Sequence, residues 1–198
     1  MYEVEIKAHV KDYDSVKKRL EQIANFESRI EKEDFYYCRF KENGEKLKSI
    51  RIRKESVLES GKKNPFTRFV VNYKSKESQN GTEVNRELES TIENPEVIKA
   101  FLLDTGHKMY LHKKKVSDFF SSIVSICNND LQCHLELVEV PPLGYFLEIE
   151  IMCPDENEDM INSAQKELYR LIDECGLKKE DIEHRYYSEL LAAIKEKP

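Results

Sequence analysis

Tyr2-Glu3-Val4-Glu5-Ile6-Lys7-Ala8 decides how the rest of the chain is read. Glu3, Glu5 and Lys7 alternate with Val4, Ile6 and Ala8. Side chains along a β-strand alternate between its faces, so this stretch puts two carboxylates and an ammonium on one face and hydrocarbon on the other. An ordinary half-buried strand would turn such charges to water. Two features point elsewhere. The charged face carries both signs, and the pattern returns near the far end as Glu148-Ile149-Glu150. Between them, Arg51 and Arg53 alternate with Ile50 and Ile52, so basic residues recur at the same spacing. The pattern predicts a barrel turned inside out: aliphatic faces outward under helices, charged faces inward around a metal and a polyphosphate.

The 198 residues suffice for one sizeable domain, expected to span 1–198. A net charge of −6 argues against a broad nucleic-acid-binding surface, which needs a basic excess, but leaves room for a local basic pocket. The five cysteines are odd in number and contain no CxxC pair, which argues against a disulfide framework or a structural zinc site. Reduced thiols fit the cytosol. The N-terminus opens directly on a strand, and no apolar run approaches the ~18 residues a membrane span needs. The expectation is therefore a cytoplasmic protein with no membrane or nucleic-acid partner, as a monomer or a homodimer.

Along the chain, Asp12 or Asp14 can cap a helix whose stripe is Val16, Leu20, Ile23 and Ala24. Strands are predicted over 26–40, 47–54, 66–74 and 82–92. Polar stretches at 56–65 and 75–81 read as loops between them. Phe35, Tyr36 and Tyr37 read as packing outside the barrel, although an aromatic ring at a mouth could stack on a base. Asn94-Pro95 starts a helix that Gly106 can end. Further strands follow at 107–115, continuing or bending into 116–127, then at 131–140 and 144–152, with a hairpin turn at Asn128-Asn129-Asp130. The stripe Ile161, Ala164, Leu168, Leu171 and Ile172 marks a helix over 157–175, ended by Gly176. A helical turn and a final amphipathic helix complete the chain. The class is α+β, a closed antiparallel barrel of about eight strands with a charged interior, flanked by helices.

The inward faces would then hold an acidic set, Glu3, Glu5, Glu148 and Glu150 with Glu87 and Glu89, and a basic set, Lys7, Arg51, Arg53, Lys74, Lys113 and Lys115. Confined like charges repel, so ligands must complete such an interior. Clustered carboxylates suit a hard divalent cation, Mg²⁺ or Mn²⁺. Paired arginines grip phosphate oxygens through bidentate bonds. A cation bridging a chain of phosphates satisfies both sets, as in phosphoryl transfer.

Glu3-Val4-Glu5-Ile6-Lys7 resembles the ExExK motif of the CYTH superfamily, the triphosphate tunnel metalloenzymes, which include class IV adenylyl cyclases, thiamine triphosphatases and inorganic triphosphatases. The resemblance continues in order. Arg51-Ile52-Arg53 is similar to the RxR strand, Asn72-Tyr73-Lys74 to the lysine strand, and Lys113-Lys114-Lys115 to a KxR pair. Leu143 to Glu150 resembles the LGxFxEIE signature, and Arg185 to Leu191 the terminal SYxELL helix. Two departures stand out. Val138 occupies a position where the family often carries an acid, with Glu136 or His134, two and four positions away on the same face, able to serve. The RxExE strand is imperfect: either a bulge re-aims Arg86, or Asn85 takes the arginine's place.

The resemblance implies roles. Glu3, Glu5, Glu148 and Glu150, with Glu87 and Glu89, would hold Mg²⁺ or Mn²⁺. Lys7, Arg51, Arg53, Lys74, Lys113 and Lys115 would neutralise a triphosphate such as ATP or inorganic triphosphate. Glu5, Lys7 and Glu136 would be the catalytic group, a second metal or a glutamate base activating the nucleophile. Water as nucleophile gives a triphosphatase. The ribose 3′-hydroxyl of ATP gives a cyclase releasing cyclic AMP and pyrophosphate. The alternative is a non-catalytic module that binds nucleotides or polyphosphate.

Overall fold

A computed structural model describes residues 2–60, 65–79, 82–155 and 157–195, the side chains of 74–79, 82–87 and 195 excepted. Eight antiparallel strands carry the fold: β1 (Tyr2–Val10), β2 (Asn25–Phe40), β3 (Lys46–Ser60), β4 (Phe66–Gln79), β5 (Thr82–Ile92), β6 (Lys108–Ile126), β7 (Asn129–Val140) and β8 (Gly144–Cys153). Four helices accompany them: α1 (Tyr13–Ile23), α2 (Pro95–Asp104), α3 (Glu158–Glu174) and α4 (Tyr187–Lys195).

The strands follow one another around a closed barrel in the order β1-β5-β4-β3-β2-β6-β7-β8. β1 is the closing strand. It pairs along its whole length with β8, from Tyr2↔Cys153 to Val10↔Tyr145, and at its start with β5, from Tyr2↔Arg86 to Glu5↔Glu83. The order sets β8 half-way round from β3, and β1 half-way round from β2.

The hydrocarbon faces outward, as the strand alternation requires. Val4, Ile6, Leu135, Leu137, Ile149 and Ile151 on β1, β7 and β8 pack against Val16 and Leu20 of α1 and Ile161, Ala164, Leu168 and Ile172 of α3, all almost wholly buried. Asp12 caps α1 by accepting from the Ser15 amide at 3.0 Å, and Asn157 caps α3 by accepting from Met160 at the same distance. α3 ends at Gly176, whose φ of +77° only glycine adopts without strain. α2 covers a smaller patch where Leu102 meets Tyr37 and Ile52. α4 lies at one end of the barrel, where Tyr187 and Leu190 pack on Val138, Val140 and Phe146.

Two expected loops are largely strand. β3 runs on through Ser56 to Ser60 and β4 through Ser75 to Gln79. The reason is pairing: Glu55↔Arg68, Ser56↔Thr67 and Val57↔Phe66 extend the β3–β4 ladder, and Ser75↔Arg86 to Gln79↔Thr82 extend β4–β5. Backbone hydrogen bonds along a long ribbon outweigh the polar composition that suggested loops. The β4–β5 ladder continues without a register shift past Arg86, so no bulge re-aims that residue. β6 is continuous where a bend was allowed. Its hairpin to β7 turns on Cys127 and Asn128, both at positive φ (51° and 62°), one residue earlier than the sequence suggested.

Candidate active site

The charged faces meet inside the barrel around a cavity of about 640 Å³. Its lining includes Glu3, Glu5, Lys7, Arg51, Arg53, Glu89, Lys113, Lys115, Glu136, Glu148 and Glu150, so residues from distant parts of the chain face one space. The side chains of Lys74 and Glu87 lie outside the described residues.

Strand register arranges the acids in rungs. Glu5, Glu150 and His134 are successive cross-strand partners on β1, β8 and β7, and Lys7, Glu148 and Glu136 form the next rung. Directly opposed side chains on adjacent strands stand about 5 Å apart, close enough to interact. The basic wall is built the same way. Arg53 of β3 faces Asp34 of β2, and Asp34 in turn faces Lys113 of β6. The triple lysine divides by strand alternation: Lys113 and Lys115 point inward and are buried, whereas Lys114 is exposed and pairs with Glu33 at 3.2 Å.

Many lumen charges are held by one another. Arg53 clasps Asp34 through two bonds, Nε to Oδ1 at 2.6 Å and Nη2 to Oδ2 at 3.1 Å, with Lys113 at 3.3 Å. Burial alone would push the Asp34 carboxyl up, but Arg53, Lys113 and Arg51 hold it well below the usual carboxylate range. Lys115 donates to Glu148 at 2.7 Å and lies 3.3 Å from Glu136, which is also ion-paired with Lys32. Against the pull of burial, Lys115 brings Glu148 down to about 2, and Lys115 with Lys32 keeps Glu136 well below its ordinary value. His134 Nδ1 stands 2.8 Å from Glu150 Oε1, a bond that raises the imidazole pKa.

Lys7 takes a different partner. It is buried, and its Nζ donates to the backbone carbonyl of Arg185 at 2.6 Å. It also sits over the ring of Tyr187, 4.6 Å from the centroid, and Lys113 does the same at an equal distance. The segment leading into α4 thus packs against two of the lumen lysines. Glu183 anchors it by accepting from Arg185 at 2.7 Å and pairing with His9 at 3.1 Å.

Several lining residues carried no clear signal in the sequence. Lys32 and Tyr36 of β2, Glu55 of β3, Asn72 of β4 and Tyr187 of α4 border the cavity, and the wholly buried Asp34 of β2 pairs with the lining Arg53. Of the three aromatics expected outside, Phe35 and Tyr37 pack outward with Ile52 and Leu102, whereas Tyr36 faces the cavity. On β2 both faces are polar, so alternation does not say which is inner. Val138 is buried in the apolar cluster under α4, so it supplies no ligand.

Among the described residues no three His, Cys, Asp or Glu side chains converge as a ready-made metal cage. The donors nearest to that role, Glu148 and Glu150, are engaged by Lys115 and His134. The donor set itself, carboxylates on adjoining rungs, has the hard-oxygen chemistry of a Mg²⁺ or Mn²⁺ site.

A closed antiparallel barrel with a lumen of opposed acids and bases defines the class of protein. The chain belongs to the CYTH family: the CYTH domain matches residues 1–187. Solved structures share the fold. The PH1819 protein of Pyrococcus horikoshii superposes with a TM-score of 0.77 at 23% identity, over 97% of this chain and 99% of that one. A candidate adenylate cyclase from Vibrio parahaemolyticus gives 0.65 at 20% identity, over 97% and 98%. The Hippeastrum protein HpAC1, a candidate adenylyl cyclase with a dominant triphosphatase activity, gives 0.59 at 13% identity, over 100% and 96%. Comparison with curated proteins gave no match. No helix among the described residues is long and apolar enough to cross a membrane.

Proposed function

We propose that the protein is a divalent-metal-dependent enzyme acting on a triphosphate inside the barrel, with hydrolysis or cyclisation of ATP as the reaction. The observation that carries this reading is the opposition of walls: the Glu5–Glu150 rung on β1 and β8 stands half-way round the barrel from Arg51 and Arg53 on β3 and from β2. An anion chain laid across the lumen would meet guanidinium and ammonium groups on one side and carboxylates on the other. Those carboxylates repel it unless a cation lies between.

Glu3, Glu5, Glu148 and Glu150 would hold the Mg²⁺ or Mn²⁺, joined by Glu87 and Glu89 on β5. The ion would supply charge neutralisation and in-line positioning of the phosphates. Arg51, Arg53, Lys74, Lys113 and Lys115 would bind phosphoryl oxygens, and Lys7 would join them by giving up its bond to Arg185. Glu136, ionised between Lys32 and Lys115, would orient those lysines or accept a proton from the nucleophile once the anion draws the lysines away.

A non-catalytic binding module is the second reading, and Val138 favours it, because an apolar side chain stands where the family often has an acid. Glu5→Gln decides between them. On the enzymatic reading, wild-type protein turns over tripolyphosphate, ATP or thiamine triphosphate with Mg²⁺ or Mn²⁺, and Glu5→Gln loses about 1,000-fold or more, equivalent to about 4 kcal/mol of barrier, with its melting temperature unchanged. Product analysis separates orthophosphate from cyclic AMP. Tight binding without any product supports the module, and full turnover by Glu5→Gln removes the proposed role.

A further inference from the structure

The side-chain amide of Asn72, in the middle of β4, is buried to 3% exposure at the wall of the lumen, and its Nδ2 makes no hydrogen bond within the protein. Buried polar groups are almost always paired, and a donor left unused costs stability. Register sets Asn72 between Arg51 of β3 and Glu89 of β5, its cross-strand partners, and all three residues line the cavity. Around it the strong acids and bases pair among themselves: Arg53 with Asp34, and Arg68 with Glu55 at 2.7 Å.

We propose that Asn72 is a ligand-binding residue whose amide donates to a non-bridging phosphoryl oxygen of the substrate, beside Arg51; the proposal rests on the triphosphate reading above. A neutral donor suits this position. A further cation would add repulsion to Arg51, Arg53, Lys32 and Lys113 in the confined lumen, whereas an amide contributes a directed bond at no charge. Its unused hydrogens lie at the lumen wall, and a phosphoryl oxygen is an acceptor of the right chemistry. Asn72 therefore tells a phosphoryl chain from a ligand that merely balances charge, and the apo protein gives up some stability to keep that donor ready.

The test uses the full-length protein and tripolyphosphate in metal-free buffer, with calorimetric titration and thermal melts. Asn72→Leu, similar in shape and without a donor, is expected to bind tripolyphosphate about tenfold more weakly, the loss expected for a hydrogen bond to a charged acceptor. Its ligand-free melting temperature should equal or exceed that of wild type, because the unpaired amide is gone. Asn72→Asp keeps the shape, removes the donors and adds a negative charge, so it should weaken binding further than Leu does, and it decides the matter if the Leu variant does not fold. Binding by either variant at wild-type strength overturns the proposal. A lower melting point in Asn72→Leu with unchanged tripolyphosphate affinity assigns the amide a structural role and overturns it equally. Wild-type protein that takes up no tripolyphosphate in this buffer overturns the proposal, whereas the triphosphate reading itself falls only if added Mg²⁺ or Mn²⁺ brings neither uptake nor turnover.

Discussion

The two faces of the β7–β8 hairpin are opposite in chemistry. Leu135, Leu137, Ile149 and Ile151 point outward, are wholly buried, and pack beneath α1 and α3. His134, Glu136, Glu148 and Glu150 alternate with them and point inward to a network of ion pairs. The same backbone thus supports an apolar core on one side and a polar cavity on the other. Burial of hydrocarbon is the stabilising side of this division. The inner side pairs charge with charge, and such pairs gain little over apolar side chains while losing much when a partner is removed. A barrel built this way holds its shape from outside and keeps its interior free for charged ligands.

Three variations break or sharpen that contrast. Arg53→Ala strips Asp34, which has no exposed surface, of its two-bond partner and leaves Lys113 at 3.3 Å and a long bond from the Tyr36 hydroxyl, and should cost about 3–5 kcal/mol in urea denaturation. A double replacement, Arg53→Met with Asp34→Leu, should recover much of that loss, as expected if the lumen pair serves ligand binding more than stability. A cost near zero for Arg53→Ala would show the lumen to be wet enough to solvate a lone carboxylate. Leu168→Ala on α3 removes hydrocarbon from the outer core and should cost about 2–5 kcal/mol. Affinity for tripolyphosphate should survive this change, whereas Arg53→Ala should reduce it. If Leu168→Ala weakens binding as much as folding, the two faces are coupled.

The weakest lever is pH. Glu148 titrates at about 2 in the folded barrel against an ordinary 4.5, so its contribution to stability is present above about 4.5 and is lost as pH falls through about 2. Asp34 and Glu136 are shifted the same way. His134 is shifted oppositely: its raised pKa stabilises the fold below the ordinary histidine range, and that contribution fades as pH rises through the folded value. Melting temperatures recorded from neutral to acid pH should therefore decline chiefly below about 4.5, and Lys115→Met, which removes the partner that lowers Glu148, should make that decline shallower. A flat profile would mean that the lumen carboxylates are not tied to lysine.

Alternation of charge and hydrocarbon in Glu3-Val4-Glu5-Ile6-Lys7, and again in Glu148-Ile149-Glu150, was enough to state which side chains share a face. The heptad-like stripe from Ile161 to Ile172 was enough to state which helix covers the other. These follow from local geometry, because a strand repeats every two residues and a helix every 3.6 whatever surrounds them. Local geometry is silent where both faces are polar. In β2, Lys32 and Asp34 alternate with Glu31 and Glu33, and only closure of the barrel makes Asp34 the partner of Arg53 and Lys32 the partner of Glu136. The extension of β3 and β4 through polar stretches likewise depends on the strand alongside.

What the amino-acid order determined by itself was therefore the sidedness of each element and the presence of acid and base rows, both products of short-range periodicity. What only the tertiary structure decided was which rows meet. The turning of Lys7 toward Arg185, 178 residues away, the rung of Glu5, Glu150 and His134, and the unused amide of Asn72 all depend on which elements the fold sets side by side. Register and barrel closure set those contacts, and neither is written in the spacing of any single segment.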